Sequence, residues 1–434
     1  MSFRQLINAL RPRTLLPLEK AGVKPGLYHY LREANGTFTR FHLRVDSTGG
    51  VLLANASAAT HLRASGVIIA KGLLEGERPA VIADRLVRSF RGVTPAQAAA
   101  DVDRLDRILT ELTSPGDNYP ILNLADPAFS PELAPLDRPL SADLPLAEPE
   151  LLVPILDRLW ELGIPHVTLV AGEDPDAAAL VRAVERAEDL GLIAGVRGQG
   201  SVLAAGTLLR DLARAGVDHV DLTYLSAQPE VHDALAGSGD HEQATRAMVE
   251  LGENEVCPVA EVALVESTLE GIEETLQSLA SRGVGNAAFY AVAMTEGKST
   301  GGALRADELI EAARLVEESA EESSVRYLWY PPVRFHLGSS LAAHVRRGPR
   351  AGGDHAVRVE PDGSVIPARG PHVSAGNLLK DAWETIRNSE VFCRYRRRVE
   401  SDTHCDDCPG LAICAADCPR NPAGWADGRR VEDE

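Results

Sequence analysis

Between about residue 141 and residue 335, short apolar runs alternate with longer stretches in which apolar residues recur every three or four positions. The apolar runs are Ala142–Leu146, His166–Ala171, Leu192–Val196, His219–Leu225, Val256–Val265, Ala287–Ala293 and Val325–Trp329. The stretches between them are Glu150–Leu162, Asp176–Leu190, Ala204–Ala215, Pro229–Leu251, Ser267–Arg282 and Arg305–Ser319. Runs of this length with apolar residues on both faces suit strands covered on each side, and the intervening period suits helices that cover them. Such alternation predicts the α/β class, with a parallel sheet, right-handed crossovers and an open or closed barrel.

Upstream the order is reversed, with strands first and helices after. Leu27–Leu31, Phe38–Val45 and Gly50–Asn55 read as three strands, separated by the hairpin signals Ala34-Asn35-Gly36 and Asp46-Ser47-Thr48-Gly49-Gly50. Ser57–Leu74, Pro79–Phe90 and Thr94–Leu112 then carry helical spacing, with Thr94 placed to cap the last of them ahead of Pro95. This predicts a small α+β domain over 26–113, preceded by an N-terminal segment, 1–25. Prolines at 115, 120, 127, 131, 135 and 139 block regular helix and mark 114–140 as a linker. The barrel region then spans 141–335 and a C-terminal extension 336–434.

The 434 residues carry 44 Lys and Arg against 63 Asp and Glu, a net charge of −19 that disfavours binding to nucleic acid or to an anionic membrane. No run approaches the roughly 18 apolar residues of a membrane span, and the first ten residues lack the apolar core of a signal peptide, so a cytoplasmic protein is expected.

The chemistry is concentrated near the C-terminus. Four of the six cysteines, Cys405, Cys408, Cys414 and Cys418, stand at C-x2-C-x5-C-x3-C, with Pro409, Gly410 and Pro419 allowing the chain to wrap around one centre. Metal binding is the leading reading, with two local disulfides or unrelated thiols as alternatives. Four thiolates suit a [4Fe-4S] cluster or a zinc ion, and spacing does not choose between them. Cys393, His404, His355 or His372 could replace one of the four. Cys257 and Cys393, isolated in sequence, read as small core residues. Gly195-Val196-Arg197-Gly198-Gln199-Gly200 lacks dinucleotide-binding spacing and reads as a barrel turn. No P-loop, GxSxG elbow or HExxH helix occurs. Glu173, Gln199, Tyr224 and Ser226 fall at C-terminal strand ends, where barrel ligands sit, and are candidates to line a pocket.

Ile155–Pro175 and Val231–Gly237, after the fourth strand, resemble the partial TIM-like (β/α)6 barrel of radical S-adenosylmethionine (SAM) enzymes. Val359-Glu-Pro-Asp-Gly-Ser-Val-Ile-Pro367, Gly376-Asn-Leu-Leu-Lys-Asp-Ala-Trp383 and the cysteine group resemble the SPASM extension of the peptide-modifying branch. Residues 26–113 resemble the winged-helix peptide-recognition (PqqD-like) domain of such systems, in which a leader peptide adds as a strand to a sheet edge. The departures matter more than the likeness. The family's C-x3-C-x2-C loop leaves one iron open to bind SAM, but no cysteine precedes Cys257, and Leu144–Pro149 joins the first strand directly to the first helix. The family's Gly-Gly-Glu-Pro turn survives only as Ala171-Gly172-Glu173-Asp174-Pro175, so Gly172 and Glu173 are vestigial cofactor-binding positions. Ala368 stands where a cysteine is expected, and another is missing near Asp354. The resemblance therefore implies one C-terminal metal centre, no radical-SAM cluster, and a pseudoenzyme. Its expected partners are a peptide substrate or leader, an active homologous enzyme, or both, as in the maturation of ribosomal peptides (RiPP-type). A non-radical enzyme using the emptied barrel and an electron-transfer module with one cluster are the alternatives.

Overall fold

The computed structural model describes residues 16–34, 37–54, 58–112, 138–146, 149–294, 301–305, 308–323, 325–330, 332–335, 338–349, 356–367 and 373–393. The chain divides into two compact units, Met1–Pro115 and Gly116–Glu434.

In the first unit a short helix α1 (Pro17–Lys20) precedes four strands, β1 (Gly26–Ala34), β2 (Thr37–Val45), β3 (Gly49–Ala54) and β4 (Ala58–Arg63), and three helices, α2 (Ala64–Leu74), α3 (Pro79–Ser89) and α4 (Pro95–Leu112). The strands form an antiparallel meander in the order β1-β2-β3-β4. Strand alternation places Phe41, Leu43 and Val45 of β2 and Leu52 and Ala54 of β3 in one core with Val67, Ile68, Ile82, Leu86 and Leu109 of the helices. Gly50 lies where a Cβ would come within 2.3 Å of the Arg44 carbonyl oxygen and 3.0 Å of Val67, so only glycine lets α2 pack this closely. Thr94 caps α4 as expected: the Gln97 amide donates to its hydroxyl at 3.3 Å, while the Gln97 side chain accepts from the Thr94 amide at 3.1 Å. The expected helix over Ser57–Leu74 is corrected. Ala58–Arg63 pairs residue for residue with Gly49–Ala54, and the helix begins at Ala64. The open edge of β3 supplies the backbone partners that make Ala58–Arg63 a strand.

The second unit is a mixed α/β unit with a parallel sheet. Its elements run β5 (Ser141–Pro145), α5 (Pro149–Leu162), β6 (His166–Val170), α6 (Ala177–Leu190), β7 (Ile193–Gly198), α7 (Gly200–Leu203), α8 (Leu208–Ala215), β8 (His219–Thr223), α9 (Pro229–Ala236), α10 (Asp240–Glu253), β9 (Cys257–Leu264), α11 (Glu266–Leu269), α12 (Ile272–Ser281) and β10 (Asn286–Met294). There follow β11 (Leu304–Arg305), α13 (Glu308–Ser323), β12 (Arg326–Trp329), β13 (Val333–Arg334), α14 (Leu341–Arg347), β14 (Ala356–Val359), β15 (Val365–Pro367) and α15 (Trp383–Arg387).

Strands β5 to β10 are neighbours in sequence order and all parallel. The short strands β11, β12 and β13 pair with β10, while β14 extends the β5 edge in parallel and β15 folds back on it antiparallel. All seven sequence-read strands are present. Two of the expected helices, Pro229–Leu251 and Ser267–Arg282, are each broken in two. The stretch Pro229–Leu251, for example, splits into α9 and α10 at Gly237 (φ 132°) and Gly239 (φ 79°), backbone conformations that end a helix.

The sheet curls. The Arg197 guanidinium on β7 lies 3.0 Å from the Tyr330 hydroxyl just after β12, four strands away. Four spacings of about 4.8 Å would separate the two by roughly 19 Å in a flat sheet. The concave face therefore draws together side chains from most of the strands.

Beyond the sheet, the Pro361-Asp362-Gly363 turn joins β14 to β15, and Asn377 staples the Gly376–Leu379 segment to it. The Asn377 amide group donates to the Asp362 carbonyl at 2.8 Å, and the Leu378 backbone amide to the Gly363 carbonyl at 2.7 Å. These two motifs, read separately in the sequence, form one feature. No helix among the described residues is long and apolar enough to cross a membrane.

Candidate functional site

Residues paired across neighbouring strands point to the same face, so the register identifies what fills the concave side. Asp143 of β5 is level with Thr168 and Gly195, Arg197 with Asp221, and Glu261 with Thr223. Asp143, Arg197 and Glu261 thus sit on alternate strands, each two residues further along than the last, the stagger by which barrel interiors are layered. Such layers are ordinarily apolar. This one is charged.

Arg197 is 5% exposed and its guanidinium holds three carboxylates: Nε donates to Glu261 Oε1 at 2.6 Å, Nη1 to Asp143 Oδ2 at 3.0 Å and Nη2 to Asp221 Oδ2 at 3.4 Å. Asp221 also lies 2.8 Å from His219 Nδ1, and His219 Nε2 lies 2.8 Å from His166 Nε2, so a chain of polar contacts runs from Arg197 to the first residue of β6. Gly195 makes this possible, because a Cβ there would come within 2.3 Å of the His219 ring.

One guanidinium cannot balance three buried carboxylates, and the titration directions follow from that. Burial pushes the Glu261 carboxyl up to about 7; Arg197 opposes the shift, while Asp221 and Asp143 reinforce it. Burial acts on Asp221 in the same sense, but His219 and then Arg197 overcome it and hold Asp221 below the usual carboxylate range. For His219, burial favours the neutral ring, but the charge and hydrogen bond of Asp221 prevail and raise it.

Helix α14 lies over this layer. The Tyr290 hydroxyl of β10 donates to the Val345 carbonyl at 2.8 Å. At the helix end, a Cβ on Gly348 would sit 3.9 Å from both Arg197 Cδ and Glu261 Oε2. Glu173, on the loop after β6, is 85% exposed and lies 3.9 Å from Arg346 of the same helix.

The residues expected to form a site do not converge. Gly172 and Glu173 are exposed, and neither belongs to the buried cluster. Gln199 donates to the Ala236 carbonyl at 2.9 Å, Tyr224 is fully buried against Ser278, and the Ser226 hydroxyl accepts from the Gln228 amide at 3.1 Å; each serves a local loop contact. Gly195–Gly198, expected to be a turn, is the second half of β7, and Gly200 opens α7, where a Cβ would overlap the Ala244 backbone of α10. Cys257 is a buried thiol, as expected, pushed up to about 12 by burial first and by Asp221 second, and thus held protonated. Cys393 is only half-buried, with its thiol 3.5 Å from the Asn388 carbonyl. Cys405, Cys408, Cys414 and Cys418, with His355, His372 and His404, lie outside the described residues. Among the described residues no group of three or more His, Cys, Asp or Glu side chains is arranged to hold a metal ion.

Sequence reasoning passed over Asp143, His166, Arg197, His219, Asp221 and Glu261. The signal was available: these are polar residues on one face of strands whose other positions are apolar, where a buried parallel sheet should be apolar throughout.

No known family model matches the sequence, and no curated protein matches it. Among solved structures, the chain is similar to SuiB of Streptococcus suis at 11% identity and TM-score 0.56, over 90% of this chain and 98% of SuiB. SuiB bound to S-adenosylmethionine aligns at 11% identity and TM-score 0.54, covering 87% of this chain and 93% of that one. SuiB bound to its precursor peptide SuiA aligns at 12% identity and TM-score 0.53, covering 94% and 100%. At such identities the likeness is one of fold.

Proposed function

We propose that this protein is a catalytically silent relative of the radical SAM/SPASM enzymes, a partial barrel retained as a peptide-binding or scaffolding partner in peptide maturation. One observation carries the reading: the concave face of the sheet is filled by the buried Arg197 cluster, with the end of α14 packed beside it. The sequence supports it, since only Leu146, Ala147 and Glu148 separate β5 from α5 and no cysteine precedes Cys257. The residues present do not fit a cluster with an open iron, and no step is assigned to one.

In this reading the first unit, whose sheet ends in the nine-residue edge strand β1, captures the peptide by strand addition, in the manner of a winged-helix recognition domain. Leu31 on that strand is 61% exposed and supplies an apolar contact beside the open backbone edge. SuiB has been crystallised with its precursor peptide, which supports a peptide as the partner class. Cys405, Cys408, Cys414 and Cys418 hold a single structural metal centre, a [4Fe-4S] cluster or zinc.

The test is anaerobic purification with iron, sulfide and zinc quantified, followed by incubation with SAM and dithionite. The reading expects no more than one cluster per chain and no 5′-deoxyadenosine. Formation of 5′-deoxyadenosine would overturn it. Titration with precursor peptides encoded beside its gene tests the partner, and a Leu31→Asp substitution should weaken any binding seen.

A further inference from the structure

We propose that Glu261 is the proton-sensing element of a cap: with its carboxyl protonated, α14 lies closed over the strand ends, and ionisation loosens α14 from the sheet. The inference concerns the cap and does not depend on which partner the protein binds.

The geometry comes first. Glu261 Oε1 accepts from Arg197 Nε, and a Cβ built on Gly348, the residue that ends α14, would sit 3.9 Å from Oε2, so the end of α14 packs beside the carboxyl. Burial is what disfavours the carboxylate here, so loosening the cap lets water reach the group and favours its ionised form, while the closed cap favours the neutral one.

The charges facing Glu261 act in the same direction. Around it stand Asp143 of β5, Arg197 of β7, Asp221 and His219 of β8, Tyr290 of β10 and Tyr330 after β12. On the cap, Arg346 and Arg347 are exposed to solvent and His344 is turned to the Ser340 carbonyl and the Phe335 ring. Glu261 shares the one guanidinium of Arg197 with Asp143 and Asp221. Ionising Glu261 adds one uncompensated negative charge at the point where α14 ends. Burial, followed by Asp221 and Asp143, pushes the carboxyl up to about 7, so the change falls in the neutral range.

The experiment is hydrogen–deuterium exchange of the full chain at about pH 6 and about pH 8, with rates corrected for intrinsic exchange. Opening of the amides of Ala343–Arg347 is expected to rise several-fold, toward a linkage limit of about tenfold, at the higher pH in the wild type, and by less than about twofold in Glu261→Gln. Equal pH dependence in the two proteins, or none in the wild type, overturns the proposal. Should Glu261→Gln not fold, Asp143→Asn gives an independent readout. With one fewer negative charge nearby, Glu261 ionises more readily and the opening midpoint moves to lower pH; an unmoved midpoint overturns the proposal equally.

Discussion

Replacing Arg197 with methionine would leave Asp143, Asp221 and Glu261 buried together with no guanidinium among them. Removing one partner of a buried ion cluster typically costs about 3–5 kcal/mol, and denaturant unfolding near neutral pH should show a loss of that order. Acid should shrink the deficit as the carboxylates take up protons. A Gly195→Ala substitution should cost about 1–3 kcal/mol, because the new methyl falls on the His219 ring.

The pH dependence of stability has a definite sign for each group. Glu261 ionises near 4.5 in the unfolded chain and at about 7 in the native one, so the native state binds more protons between those values and stability falls as pH rises through that window. His219, raised, acts alike: its contribution is full below its unfolded value and is lost as pH climbs through the native one. Asp221, lowered, acts oppositely, its contribution being present above its unfolded value and lost as pH falls through the native one. Stability should therefore peak on the mildly acidic side, and Glu261→Gln should flatten the descent toward neutrality. Urea melts from about pH 5 to 8 that superimpose for the two proteins would count against this assignment. These residues were legible in the sequence only as misfits within strands, since their partners lie far apart in the chain.

Among the elements, the two features most open to local tests are α14 and the Asn377 staple. Tyr290→Phe removes the hydrogen bond to the Val345 carbonyl and should lower the protection of α14 by about 1 kcal/mol. Asn377→Ala removes the bonds to Asp362 and Leu379 and should cost about 1–2 kcal/mol, read as faster amide exchange in Val357–Val365. The strands of the second unit were legible because continuous apolar runs have few other uses. The break between α9 and α10 was marked by Gly237 and Gly239 but masked by apolar spacing that continues across it. Strand β4 was not legible, because the hydrogen bonds that make it a strand are supplied by β3 and its own residues carry a helical period.

For the chain as a whole, the units Met1–Pro115 and Gly116–Glu434 each have internal packing of their own. The charged layer on the concave face was beyond reach, because it depends on register between strands that no local pattern encodes. That layer also bears on how the molecule assembles. The contacts of Arg197 join residues 24, 54, 64 and 133 positions apart, so the cluster can close only after β5, β7, β8, β9 and the segment after β12 have all arrived. Interactions of such long range, made last, slow the departure from the native state more than they hasten its formation. Arg197→Met should therefore speed unfolding while leaving the refolding rate nearly unchanged, which makes the buried cluster a clasp on the lifetime of the finished structure.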